Sequence, residues 1–139
     1  MRPDHYELLY PFVKWAGGQT HIAGIALAGA CADDENEEDA NLSFILVSYK
    51  RTKTLDAILR QFSFDSIVEA THEEFHLFTS LRIEYANGME AEFGLVDELW
   101  LQEPLDEGMM FVFLKGFKVL WEREELFAPI LRSIEAQKD

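Results

Sequence analysis

The chain has 139 residues, 48% of them hydrophobic, and its 26 Asp and Glu stand against 12 Lys and Arg for a formal net charge of -14. That length and apolar content suit one domain with a sizeable core, while the charge opposes attraction to a phosphate backbone and so argues against nucleic acid and anionic membrane as partners. Cys31 is the single cysteine, which leaves no intramolecular disulfide, and no stretch reads as a signal peptide or reaches the roughly 18 apolar residues of a membrane span, so the expected location is a reducing cytoplasm.

The first predicted element is a helix from about Asp4 to Trp15. Asp4 followed by Glu7 resembles a capping box, and Leu8, Leu9, Phe12 and Val13 repeat at helical spacing. Pro11 removes a backbone donor inside it, which predicts a kink or a break, and Gly17-Gly18 ends it. Ile22–Ala28 and Leu42–Tyr49 are apolar on both alternating faces, as strands buried between two layers are, and both belong at the centre of a sheet. Lys50, Arg51 and Lys53 read as the start of a loop. After them Leu55, Ile58, Leu59 and Phe62 fall at i, i+3, i+4 and i+7, one apolar stripe of a helix.

From Ser66 the period changes. Phe75, Leu77, Thr79, Leu81, Ile83 and Tyr85 share one face of a long strand, with Arg82 and Glu84 alternating. Asn87-Gly88 then predicts a β-hairpin with a type I′ turn, beyond which Met89, Ala91 and Phe93 alternate with Glu90 and Glu92. Pro104 opens a short predicted helix, Met109, Met110, Phe111, Phe113 and Leu114 supply core, and Phe117–Trp121 forms a last strand. Leu126, Phe127, Ile130, Leu131 and Ile134 stripe a terminal helix with Pro129 in its first turn. The expected fold class is therefore α/β (α+β), a single mixed sheet flanked by helices.

Asp33 to Asp39 holds six acids in seven positions. A solvated loop is the bland interpretation of such a run. Its surroundings add another: Asp39 lies three residues before a buried strand, and Glu92 sits on the strand after the hairpin, where it can reach the same sheet edge. Carboxylates converging there repel one another unless a cation is present, and metal-assisted phosphoryl or nucleotidyl transfer uses them for that purpose.

His72-Glu73-Glu74-Phe75-His76 satisfies the H-E-x-x-H pattern of zinc metallopeptidases, which requires a helix, yet its flanks read as strand and no histidine follows His76, so Glu98 would have to be the third ligand. Incidental histidines on a polar strand edge are the expectation. His5 and His21 are isolated, Cys31 has no histidine nearby in sequence, and Trp15, Trp100 and Trp121 read as core.

The order of these features resembles the nucleotidyltransferase superfamily of the DNA-polymerase-beta type, in its small branch of minimal and aminoglycoside nucleotidyltransferases. Leu27-Ala28-Gly29-Ala30 resembles that family's strand ending in Gly-Ser, Asp39-Ala40-Asn41-Leu42 its Asp-x-Asp, and Glu90-Ala91-Glu92-Phe93-Gly94 its later acidic strand. The resemblance covers nearly the whole chain. It implies transfer of a nucleoside monophosphate from an NTP to a hydroxyl acceptor, with Asp39 and Glu92 as catalytic acids, Asp39, Asn41 and Glu92 as Mg²⁺ ligands, and the Gly29-Ala30 backbone facing the triphosphate. Two departures accompany it: Ala30 stands where the family has a serine, and Asn41 where it has a second aspartate, an amide being the weaker ligand for a hard cation. The alternative expectation is a non-catalytic interaction module on the same fold. A chain this short also leaves room for a protein partner or a second subunit to complete the pocket.

Overall fold

The strands Ile22–Ala28 (β1), Leu42–Ser48 (β2), Ile67–Glu74 (β3), Phe78–Tyr85 (β4), Glu90–Val96 (β5) and Phe117–Glu122 (β6) form one sheet in the order β3-β4-β5-β2-β1-β6. β2 and β5 run parallel and the other neighbours antiparallel. Among the described residues four α-helices accompany the sheet: Pro3–Gly17 (α1), Arg51–Arg60 (α2), Glu107–Lys115 (α3) and Ala128–Lys138 (α4). The computed structural model describes residues 3–33 and 41–138. The fold is thus the mixed α/β class expected from the pattern.

Both faces of the sheet's centre are covered, which is why β1 and β2 are apolar throughout. On one face Leu8 and Phe12 of α1 and Ile58 of α2 pack against Leu27, Phe44, Leu81 and Phe93. The ring of Phe12 lies 4.8 Å from that of Phe44 and 5.0 Å from that of Phe93. Burying each such ring stabilises the fold by about 3 kcal/mol, and truncating one to Ala costs about 3–5 kcal/mol. On the other face Phe113, Phe127 and Ile130 pack against Ala26, Ile45, Val47 and Val96. Beyond this second layer the face of β3, β4 and β5 that carries Glu69, Arg82 and Glu92 is open to solvent.

Several local expectations are corrected. α1 runs unbroken through Pro11, because Pro11 and Glu7, whose carbonyl loses its partner, both lie on the exposed side. Asp4 sits inside the first turn of α1, where its carboxylate meets the positive helix end, and is not the cap. Arg51 and Lys53 belong to α2 and not to a loop. The long strand through Phe75 is in fact two, for Phe75–Leu77 turn between β3 and β4 and Phe75 is exposed. Arg51 holds that turn, donating to the carbonyls of Phe75 (3.2 Å) and His76 (2.7 Å) and to Thr79 Oγ1 (3.1 Å). The predicted hairpin joins β4 to β5, but its loop is the three residues Ala86–Gly88: Gly88 N donates to Tyr85 O, Tyr85 N to Met89 O, and Gly88 takes φ 88°. α3 opens at Asp106, whose side chain accepts from Met109 N, two residues after Pro104.

Candidate functional site

The register of three strands brings several sequence-singled residues to one sheet edge. β1 ends where β2 begins, with Leu27 opposite Phe44, and β2 starts beside β5, with Leu42 opposite Ala91 and Ser43 opposite Glu92. Gly29-Ala30, Asn41 and Glu92 therefore lie at the same end of the sheet. Asp39 lies outside the described residues.

At that edge the polar partners are specific. Arg82 on β4 is paired with Glu92 in the β4–β5 ladder; its guanidinium meets Glu90 Oε2 at 2.9 Å and Glu92 Oε1 at 4.0 Å. Asn41 donates its side-chain N–H to the same Glu90 oxygen at 3.1 Å. Glu69, Thr71 and Glu84 complete a shallow concavity of about 270 Å³ with Arg82 and Glu90. The hydrogen bond that Arg82 donates to Glu90, and then the charges of Glu90 and Glu92, hold the Arg82 pKa above its ordinary value, so the guanidinium stays charged among these acids.

A magnesium ion needs oxygen ligands converging from several sides. Glu92 Oε1 lies 4.0 Å from the Arg82 guanidinium and Asn41 turns its amide nitrogen toward Glu90, while Asp39, the other ligand the resemblance implies, lies outside the described residues. Among the described residues no group of three or more His, Cys, Asp or Glu is arranged to hold a metal ion.

Gly29 has φ 82°, and its N–H donates to Gly116 O at 2.8 Å at the start of β6. That amide is engaged within the fold. Ala30 opens a short 3-10 turn, Ala30–Ala32, and its carbonyl accepts from Asp33 N at 3.2 Å. Cys31 is buried beneath, its thiol directed to Ala28 O and accepting from Ser43 N, and burial pushes its pKa up, which keeps it a thiol and a poor nucleophile.

The H-E-x-x-H residues have no helical geometry. His72 and Glu73 are neighbours on β3 and so point to opposite faces, and His76 lies in the turn that Arg51 holds. At the far end of the sheet His21 is buried, with Nδ1 2.6 Å from Thr54 Oγ1, which is itself 2.6 Å from Ser48 Oγ. Burial, and secondarily Lys53 and Lys50, lower the His21 pKa.

Arg82 is the residue that sequence reading passed over. The two-residue turn expected from Asn87-Gly88 sets Arg82 opposite Phe93, whereas the three-residue loop that forms sets it opposite Glu92. Comparison with family models and with curated proteins finds no match. Among the described residues no helix is long and apolar enough to cross a membrane.

Proposed function

We propose that the chain is a nucleotidyltransferase-like domain with impaired or lost transfer chemistry, acting as a binding module. The observation that carries this reading is Arg82, a fixed guanidinium at 2.9 Å from Glu90 and 4.0 Å from Glu92, where the family resemblance implies a divalent cation. A cation built into the protein offsets part of the carboxylate charge without offering the phosphates of an NTP a ligand-exchange site. Ala30 in place of the serine, Asn41 in place of the second aspartate and the engaged Gly29 amide support the same reading. Pyrophosphate release from Mg-ATP, Mg-GTP, Mg-CTP and Mg-UTP, offered with a panel of hydroxyl acceptors, tests it: the expected rate equals the protein-free background for all four, and release above background that Glu92→Ala abolishes would overturn it.

A second reading, Mg²⁺-dependent transfer of a nucleoside monophosphate to a hydroxyl, is favoured by the parallel β2–β5 register, which sets Glu92 beside Ser43, two residues after Asn41. In that reading Asp39 and Glu92 are the acids, and a protein partner or second copy completes the acceptor pocket.

A further inference from the structure

The helix α3 has the sequence of a buried element and the exposure of a surface one. Between Glu107 and Lys115 it reads Gly-Met-Met-Phe-Val-Phe-Leu, apolar around its circumference, a composition that belongs to helices covered on all sides. Yet Phe113 is its one buried residue; Phe111 is 66% exposed and Leu114 45%, and Leu131 on the neighbouring α4 is 46% exposed. Leu105, Met110, Phe111 and Leu114 line an open groove of about 560 Å³ together with Glu103 and Glu107. Clustered apolar exposure of this kind, rimmed by charge, marks an interaction surface.

We propose that this α3–α4 face docks a cationic amphipathic helix of another protein. Charge selects the occupant. A second copy would bring a further net charge of -14 against a chain already at -14, whereas a basic partner is attracted by the same field. The face already receives cations from its own chain: Lys115 Nζ lies 4.8 Å from the centre of the Phe111 ring, and Glu103 binds Arg132 at 2.9 Å. A helix laid in the groove sets apolar residues at i, i+3, i+4 and i+7 on Met110, Phe111 and Leu114, and its lysines or arginines toward Glu107, since Glu103 is already paired with Arg132. This surface is independent of the chemistry at Glu92.

The test is fluorescence anisotropy of a labelled helical Leu/Lys peptide of about 18 residues, long enough for five turns, titrated with the full chain. A peptide of the same composition scrambled to abolish amphipathicity serves as the comparator. Binding is expected for the amphipathic peptide, with affinity at least about tenfold lower in the Phe111→Ser/Leu114→Ser double variant and unchanged in Tyr10→Ser, an exposed apolar residue on α1. Equal binding of the scrambled peptide, or undiminished binding by the double variant, would overturn the proposal. So would sedimentation showing that the peptide-free chain is a dimer which the double variant dissolves.

Discussion

Arg82 stands directly across from Glu92 in the β4–β5 ladder and bonds the neighbouring Glu90 at 2.9 Å, placing one fixed cation among the acids at the open end of the sheet. If that cation takes the place of a metal, its removal should create demand for one. Arg82→Ala is expected to bind Mn²⁺ or Mg²⁺ more tightly than the parent chain in calorimetric titration, with little change in thermal midpoint because exposed ion pairs contribute little to stability. Identical divalent affinity in the two proteins would remove the pairing from the account.

The buried His21 predicts a pH dependence of stability. Its folded-state pKa is lowered, by burial first and then by Lys53 and Lys50, so the unfolded chain takes up a proton before the folded one does. The His21 contribution is constant above about pH 6.5, the ordinary imidazole value, falls as pH drops from there through the folded-state pKa, and then levels. Urea midpoints measured from pH 8 to pH 5 should therefore decline more steeply for the parent chain than for His21→Asn, and parallel declines would contradict the assignment.

Tyr85 is buried and its hydroxyl has no hydrogen-bond partner among the described residues, while burial pushes its pKa up to about 12. An unsatisfied buried hydroxyl is unfavourable, so Tyr85→Phe, which keeps the edge-to-face contact with Phe64, is expected to be neutral or stabilising by up to about 1 kcal/mol in urea unfolding. A loss of more than about 1 kcal/mol would show that the hydroxyl is bonded.

Gly116 joins α3 to β6 where the chain passes Gly29. A Cβ there would collide with the Gly29 carbonyl and lie 3.0 Å from Asp33 N, both backbone atoms that have little freedom to move. Gly116→Ala is expected to lower stability by about 1–3 kcal/mol, the range for overpacking. Because the clash falls on the Gly29 turn, amide exchange should accelerate at Gly29 and Ala32 more than in α1; a uniform change would place the strain elsewhere.

How much of this was legible in the sequence follows from the range of the interactions. β1, β2 and much of the apolar pattern around α2 and α4 could be read directly, since it is set by local burial: Ile58 on α2 and Phe62 just past it, and Ile130 on α4 and Phe127 just before it, point inward, whereas Leu131 of the expected stripe is exposed. The β4–β5 hairpin was also readable, but its loop length was not, because Asn-Gly serves both a two-residue turn and a three-residue loop with the glycine at positive φ. The break at Phe75 was illegible for another reason, as Arg51, 24 residues away, supplies the bonds that fix it. Alternation of apolar residues carries no trace of such a partner. At the candidate site, strand order made Asn41 and Glu92 neighbours of one edge, while the guanidinium between Glu90 and Glu92 depended on a cross-strand register that local patterns do not specify.

Titration calorimetry of the full chain with each Mg-NTP decides whether the edge that carries Arg82, Glu90 and Glu92 is a competent metal–nucleotide site. No saturable Mg²⁺-dependent heat is expected for any of the four nucleotides. Stoichiometric Mg²⁺-dependent binding that disappears in Glu92→Ala would contradict that expectation.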